Sequence, residues 1–210
     1  MLPRSPLLRA SALLVALASV AGCSAPRTWP SPGTDQGFSA DAPPLPQAVT
    51  AALDYAHAQI DPKGTKIFNL PQEINIAAWP TYERMLKDWK PMCPGDRGVW
   101  TVRQVRIDGG KAQVDIEYPA SPGIYQTVTV HMAGESAGMS YKPSFLQYWR
   151  VPVKDPVCQQ PLSVVEKACG ASAADALRAQ RAATAPAAAG AAGAAKPPMG
   201  KPAAADEPSK

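Results

Sequence analysis

The sequence contains few of the residues that usually carry metal or catalytic chemistry. It has two histidines and four cysteines among its 210 residues, and no CxxC or HxxxH spacing occurs. A zinc site needs several such ligands at short spacing, so we expect neither a metal nor a cofactor. An excess of one sign of charge is also lacking, since residues 44–170 carry 13 basic and 12 acidic side chains. This near balance excludes the basic surface of nucleic-acid-binding proteins, and we expect no nucleic-acid partner.

Long apolar runs are lacking as well, apart from one short stretch near the start. Residues 10–21 are apolar or small and follow Arg4 and Arg9. The stretch is shorter than the ~20 residues that a membrane-spanning helix needs. A basic segment followed by such a run is typical of a secretory signal peptide, which we place at residues 1–22.

The signal ends in Val20-Ala21-Gly22-Cys23. These four residues resemble the lipobox of bacterial lipoprotein precursors, in which the cysteine is acylated and becomes the mature N-terminus. The resemblance implies that Cys23 is the lipid attachment site of an exported, membrane-anchored protein. Ser24, in place of aspartate, resembles the outer-membrane sorting pattern, which implies an outer-membrane location facing the periplasm. The alternative is an ordinary cleaved signal followed by an incidental cysteine.

Composition divides the remaining chain into three parts. Residues 23–43 are rich in proline, serine and glycine, which is typical of a flexible tether, here a lipidated one that holds the domain off the membrane surface. Residues 44–170 have the length of a single domain. Residues 171–210 are rich in alanine, proline and lysine and contain no aromatic residue. We expect a disordered tail there, with weak helix formation in residues 171–185 at most.

Within residues 44–170 the hydrophobic period changes from helical to extended. Helical spacing predicts one helix over residues 44–60 and a second from near Pro80 to Pro91. Alternating patterns predict strands near 99–107, 112–118, 127–132 and 144–153. Ser163 and Glu166 predict a capping box that opens a short last helix. The expected fold class is α+β, an antiparallel meander of about four strands with helices packed on one face. It loosely resembles NTF2-like and cystatin-like domains in architecture.

The second hairpin of this meander has a predictable register. Directly opposed residues of paired strands point the same way, so Ile116 should oppose Val128 and Val114 should oppose Val130. The turn at Asp108-Gly109-Gly110 closes the preceding hairpin. The apolar phase of that hairpin's first strand reverses near Gln104, which predicts a β-bulge.

Three cysteines remain once Cys23 is assigned to the lipid. An exported protein meets an oxidising compartment, so a disulfide is expected. Cys93 and Cys158 flank the predicted sheet, and we favour the pair Cys93–Cys158. The pairs Cys158–Cys169 and Cys93–Cys169 remain open.

Two patterns suggest catalysis. Residues 134–138 match the G-x-S-x-G motif around Ser136, but the helix and the downstream histidine that a nucleophile elbow needs are missing. His131 should oppose Gln113 and lie diagonal to Asp115 on the polar face of the sheet. Such a polar cluster of His131 and Asp115 is capable of acid–base chemistry. His57 falls outside the apolar stripe of the first helix, so we expect it to be exposed.

Aromatic residues on the last strand indicate an interaction surface instead. Tyr148 and Trp149 are adjacent, so they point to opposite faces and one of them must leave the main core. Arg150 follows directly, and exposed aromatic residues beside arginine are frequent interface anchors. The sequence therefore favours a non-enzymatic envelope lipoprotein that binds a protein partner or an envelope polymer. The alternative is a small-molecule-binding or enzymatic NTF2-like domain that uses His131 and Asp115.

Overall fold

The computed structural model describes residues 27–30, 39–74, 76–135 and 140–184. Helices and strands alternate irregularly along these residues, which confirms the α+β class. In chain order the elements are β1 (Arg27–Trp29), α1 (Leu45–Ile60), β2 (Ile67–Asn69), α2 (Trp79–Met85), β3 (Lys90–Pro91), β4 (Val99–Asp108), β5 (Lys111–Ser121), β6 (Ile124–Glu135), β7 (Ser140–Val153), α3 (Leu162–Cys169) and α4 (Ala171–Thr184).

The sheet is mixed and has seven strands in the order β3-β2-β4-β5-β6-β7, with β1 paired to β4. Strands β4 to β7 form the predicted antiparallel meander. The prediction of about four strands was too coarse, because β2 adds to β4 and β3 in parallel. Strands of two or three residues show no readable alternation, so the sequence did not reveal them.

The predicted register and bulge are both confirmed. Ile116 opposes Val128 and Val114 opposes Val130. The register of β4 on β5 shifts between Val102 and Gln104, which leaves Arg103 as the extra residue. The β4–β5 turn has Gly109 at a φ of 52°, a backbone conformation that favours glycine.

The main core lies between α1 and one face of the meander. Leu53 and Val49 of α1 belong to the same buried cluster as Trp100, Val114 and Val130. Burying this apolar stripe stabilises α1 against the sheet. The side chains at the intervening strand positions point to the opposite face, which we call the outer face.

The sequence predicted that all helices pack on one face of the sheet. In the structure they pack on both faces. Val99 neighbours Trp100 in β4, so its side chain points to the outer face, where Val165 of α3 and Leu177 of α4 bury it in a second, smaller cluster. Residues 171–184 therefore belong to the fold, and the expected start of the disordered tail at residue 171 was wrong. The sequence did not indicate that one side of this helix is buried, because its composition is rich in alanine. The buried residues are Ala174 and Leu177.

The expected flexible tether is also interrupted by structure. Arg27–Trp29 pairs antiparallel with β4, Arg27 opposite Ile107 and Trp29 opposite Val105. Trp29 is only 3% exposed and belongs to the main core. Its burial against the sheet outweighs the flexible composition around it, and the prediction of one continuous tether over residues 23–43 was wrong in this part.

Helix ends account for two smaller differences. Helix α2 ends at Met85 rather than near Pro91, and Lys90–Pro91 joins the sheet instead. Helix α3 has Pro161 at its N-cap with no side-chain cap. The capping-box prediction was wrong because the helix begins at Leu162, which places Ser163 inside it.

The disulfide joins Cys93 to Cys169, so the favoured pair Cys93–Cys158 was wrong. Cys158 is a buried free cysteine whose Sγ lies 3.3 Å from the carbonyl oxygen of Met92. Helix α3 brings Cys169 back to the segment before β4, which the order of the cysteines along the chain did not reveal.

Candidate functional site

His131 and Asp115 lie on the outer face of the sheet, but each has its own partners. His131 opposes Gln113, as predicted. Its Nε2 atom lies 3.0 Å from Oε1 of Gln147, and its ring stacks on Phe145 with centroids 4.2 Å apart. The imidazole is thus held between two residues of β7 and is not directed at Asp115.

Asp115 is the centre of a hydrogen-bond chain that crosses four strands. Arg106 Nη2 donates to its Oδ1 over 2.9 Å, and Thr129 Oγ1 donates to the same oxygen over 2.6 Å. The indole Nε1 of Trp149 in turn donates to Thr129 Oγ1 over 2.9 Å. Gln113 and Gln104 accept two further hydrogen bonds, from Nε and Nη1 of Arg106. This series of hydrogen bonds fixes the orientation of the Trp149 ring.

Three alternate residues of β7, Phe145, Gln147 and Trp149, share the outer face, and we call them the aromatic strip. They oppose His131, Thr129 and Thr127 of β6. Phe145 is 53% exposed and Trp149 is 48% exposed. The strip thus presents two half-exposed aromatic rings on an ordered strand, each ring held by a contact to β6.

Tyr148 lies on the face opposite to Trp149, as the sequence predicted for adjacent residues. It opposes Val128 and meets Tyr118 edge-on, with centroids 6.4 Å apart. Tyr148 is nevertheless 49% exposed. Arg150, the third residue of the predicted surface, is also exposed. The C-terminal half of β7 therefore exposes aromatic side chains on both faces.

A buried carboxyl group lies on the same face as the aromatic strip, with β6 between them. Glu117 is almost fully buried and pairs with Arg103, whose Nε lies 3.3 Å from its Oε1. Burial raises the pKa of the Glu117 carboxyl, and the positive charge of Arg103 offsets only part of that effect. The β4 bulge places Arg103 within reach of Glu117.

His57 is buried, so the expectation of an exposed residue was wrong. Its ring lies between Trp89 and Trp100, with both centroids 5.4 Å away. Its Nε2 lies 3.2 Å from the carbonyl oxygen of Gly64. The Trp89 indole covers this side of α1, so His57 is a core residue with satisfied contacts.

A cleft lies at the opposite end of the sheet from the β4–β5 turn. It has a volume of about 870 Å³ and is lined by the segment before β4, the β5–β6 turn and the segment after β7. Asp61, Asp96 and Asp155 line it together with Arg97. Neither His131 nor Asp115 lines it, so the predicted polar cluster is not part of this cleft.

Two predicted positions, Cys23 and Ser136, lie outside the described residues. Within the described ranges, no group of three or more histidine, cysteine, aspartate or glutamate side chains is arranged to hold a metal ion. None of the helices in these ranges is both long and apolar enough to cross a bilayer.

Comparisons with known proteins gave no match to any family, to any curated protein or to any solved structure.

Sequence reasoning found Trp149 but missed Phe145. The signal was present, because residues 145, 147 and 149 alternate along one strand and must share a face. The ring contact with His131 depends on the register of β6 and β7, which shifts twice. Those shifts follow from packing between strands and have no local signature in the sequence.

Proposed function

We propose that this protein is a lipid-anchored envelope protein whose domain binds a protein partner through the aromatic strip. Phe145 and Trp149, both about half exposed, carry the proposal. Exposed tryptophan and phenylalanine side chains at fixed positions are typical anchors of protein interfaces. The signal peptide and Cys23 would deliver the domain to the envelope and hold it there.

The strip is suited to a protein surface because its polar neighbours are already engaged. Thr129 bonds to Asp115 and Trp149, while His131 pairs with Gln147. A hydroxyl-rich polymer needs free hydrogen-bond partners beside the aromatic rings. The strip instead offers apolar area with few free polar groups, which favours an apolar patch on another protein.

The face of β7 is a better docking surface than its edge. Lys142, Pro143, Arg150 and Pro152 are spread along this edge strand. Charges and prolines on an edge strand oppose the addition of another strand. We therefore place the partner against the outer face, over Phe145 and Trp149.

The alternative small-molecule or enzymatic role has less support. It requires His131 and Asp115 to line an enclosed site between α1 and the sheet, whereas α1 packs on the other face. The strong contacts of Asp115 to Arg106 and Thr129 also occupy the group that would assist a histidine base.

The anchor part of the proposal is tested by Cys23→Ser. Without the acylated cysteine, the protein should leave the membrane fraction after a high-salt wash, since the acyl chains provide the anchoring energy. Retention of the variant in washed membranes would contradict the anchor.

The docking part is tested by the double variant Phe145→Ala/Trp149→Ala. Chemical crosslinking of the full-length protein in its native envelope should yield one dominant adduct, and this variant should lose it. A matched control is Ile76→Ala/Val157→Ala, which shortens two exposed apolar side chains away from the strip. An adduct unchanged in the strip variant would contradict the proposal, as would crosslinks to envelope polymer alone.

A further inference from the structure

We infer that the domain is held close to the bilayer with its β4–β5 turn toward the lipid headgroups and its large cleft pointing away. This inference rests on the proposed lipidation of Cys23. It follows from the position of β1, which joins the sheet almost immediately after that cysteine.

The chain between the anchor and the sheet is very short. Three residues separate Cys23 from Arg27, the first residue of β1. Four residue steps, even when fully extended, span at most about 14 Å. The start of β1 must therefore lie within roughly that distance of the acylated cysteine.

The direction of β1 decides which end of the domain is near the membrane. Arg27 opposes Ile107, next to the β4–β5 turn, whereas Trp29 opposes Val105 further along β4. The chain thus enters the sheet at the turn end. The other end of β4, at Val99, is about 30 Å away at the usual rise per residue, and the 870 Å³ cleft lies there.

Burial of Trp29 prevents β1 from acting as a loose extension of the tether. Trp29 is 3% exposed in the main core. Releasing it would expose a large aromatic side chain to water, which the hydrophobic effect opposes. The short tether is therefore connected to a rigid point of the sheet.

The surface around this point fits lipid headgroups. Its exposed side chains include Arg27, Lys111 and Lys142 together with Asp108 and Glu135. Charged side chains are costly to bury among acyl chains, so this surface is suited to the headgroup layer and not to insertion. No large apolar side chain is exposed in β1 or in the described residues that flank the β4–β5 turn.

The test compares labels at the two ends of the domain. Gly110→Cys places a thiol in the β4–β5 turn, where an added Cβ meets nothing within 4 Å. Ser121→Cys places one at the exposed cleft end, while Cys158 stays buried and unlabelled. The lipidated proteins, each carrying a fluorophore, are bound to phosphatidylethanolamine–phosphatidylglycerol vesicles that contain a nitroxide on some headgroups.

We expect the headgroup nitroxide to quench the label at position 110 and not the label at position 121. A flexible Gly/Ser insertion after Ser24 should abolish quenching at 110 while the protein still floats with the vesicles. Equal quenching at both positions in a floating protein would overturn the orientation and leave the anchor intact. The Cys23→Ser control should not float with the vesicles. If the protein with Cys23 also fails to float, both the anchor and the orientation are overturned.

Discussion

Cys158 is the residue whose chemistry depends most on its surroundings. It is the free cysteine among the described residues and lies beside Met92, adjacent in sequence to the disulfide residue Cys93. Burial raises the pKa of its thiol, with a partial offset from a backbone hydrogen bond and the charge of Arg181. A protonated, buried thiol is a poor nucleophile, so Cys158 should not exchange with the Cys93–Cys169 disulfide.

The pairing of the cysteines predicts the thiol count of the Cys23→Ser variant. A thiol reagent should find no reactive cysteine in the folded protein and one per chain after unfolding in denaturant, because only Cys158 is unpaired. Peptide mapping should recover Cys93 linked to Cys169. Recovery of a Cys93–Cys158 peptide from protein alkylated in the folded state would contradict the assigned pairing.

Glu117 makes a pH-dependent contribution to stability. Since burial raises its pKa in the folded protein, the folded state binds this proton more tightly than the unfolded state does. The contribution is therefore fully present below the pKa of the unfolded chain and is lost as the pH rises through the folded-state pKa. Ionised Glu117 is the less favourable form of the folded protein.

Glu117→Gln should remove this dependence. We expect the free energy of unfolding of the variant, relative to that of wild type, to increase from about pH 4 to about pH 7, because only wild type loses stability when Glu117 ionises. Denaturant unfolding at several pH values measures the difference, and Glu135→Gln, which changes an exposed carboxyl of β6, is the matched control. Parallel pH profiles for Glu117→Gln and wild type would show that burial does not raise this pKa.

At the scale of the element, the sequence predicted what depends on local pattern. Alternation fixed which residues of β5 and β6 face each other, and the phase reversal in β4 located the bulge. Helix α1 was predicted from its apolar stripe for the same reason. The sequence did not predict strands β1 and β2, because three residues show no alternation and their pairing with β4 joins distant parts of the chain.

The buried side of α4 was hidden for another physical reason. Its composition is polar and rich in alanine, which predicts at most a weak isolated helix. Packing of Leu177 against Val99 and Val165 supplies the stabilisation that helix propensity lacks. The disulfide pairing also depends on tertiary packing and not on local sequence, since only the position of α3 brings Cys169 to Cys93.

The role of β1 as part of the domain leads to a stability prediction. Trp29→Ala should lower the free energy of unfolding by about 3–5 kcal/mol, as for other buried tryptophans. Trp149→Ala, at a half-exposed site with one hydrogen bond, should cost only about 1 kcal/mol. Denaturant unfolding of the two variants provides the comparison. Equal losses, or none for Trp29→Ala, would mean that β1 is not integrated in the sheet.

At the scale of the whole molecule, the point where β1 joins the sheet and the aromatic strip lie on different parts of the domain. The chain enters at the β4–β5 turn, whereas the strip lies along the middle of β7 on the outer face. In a domain standing on its turn end, β7 would point away from the bilayer and the strip would face sideways, above the membrane surface. A partner anchored in or resting on the same membrane could then reach Phe145 and Trp149 without displacing the lipid anchor.

Site-specific photocrosslinking in the native envelope shows whether the aromatic strip binds a protein partner. A photoreactive amino acid replaces Gln147, between the two aromatic rings, or exposed Gln72 as the control position. Docking on the strip should give one dominant protein adduct from position 147 that is absent from position 72. No protein adduct at 147, or the same adducts from both positions, would contradict it.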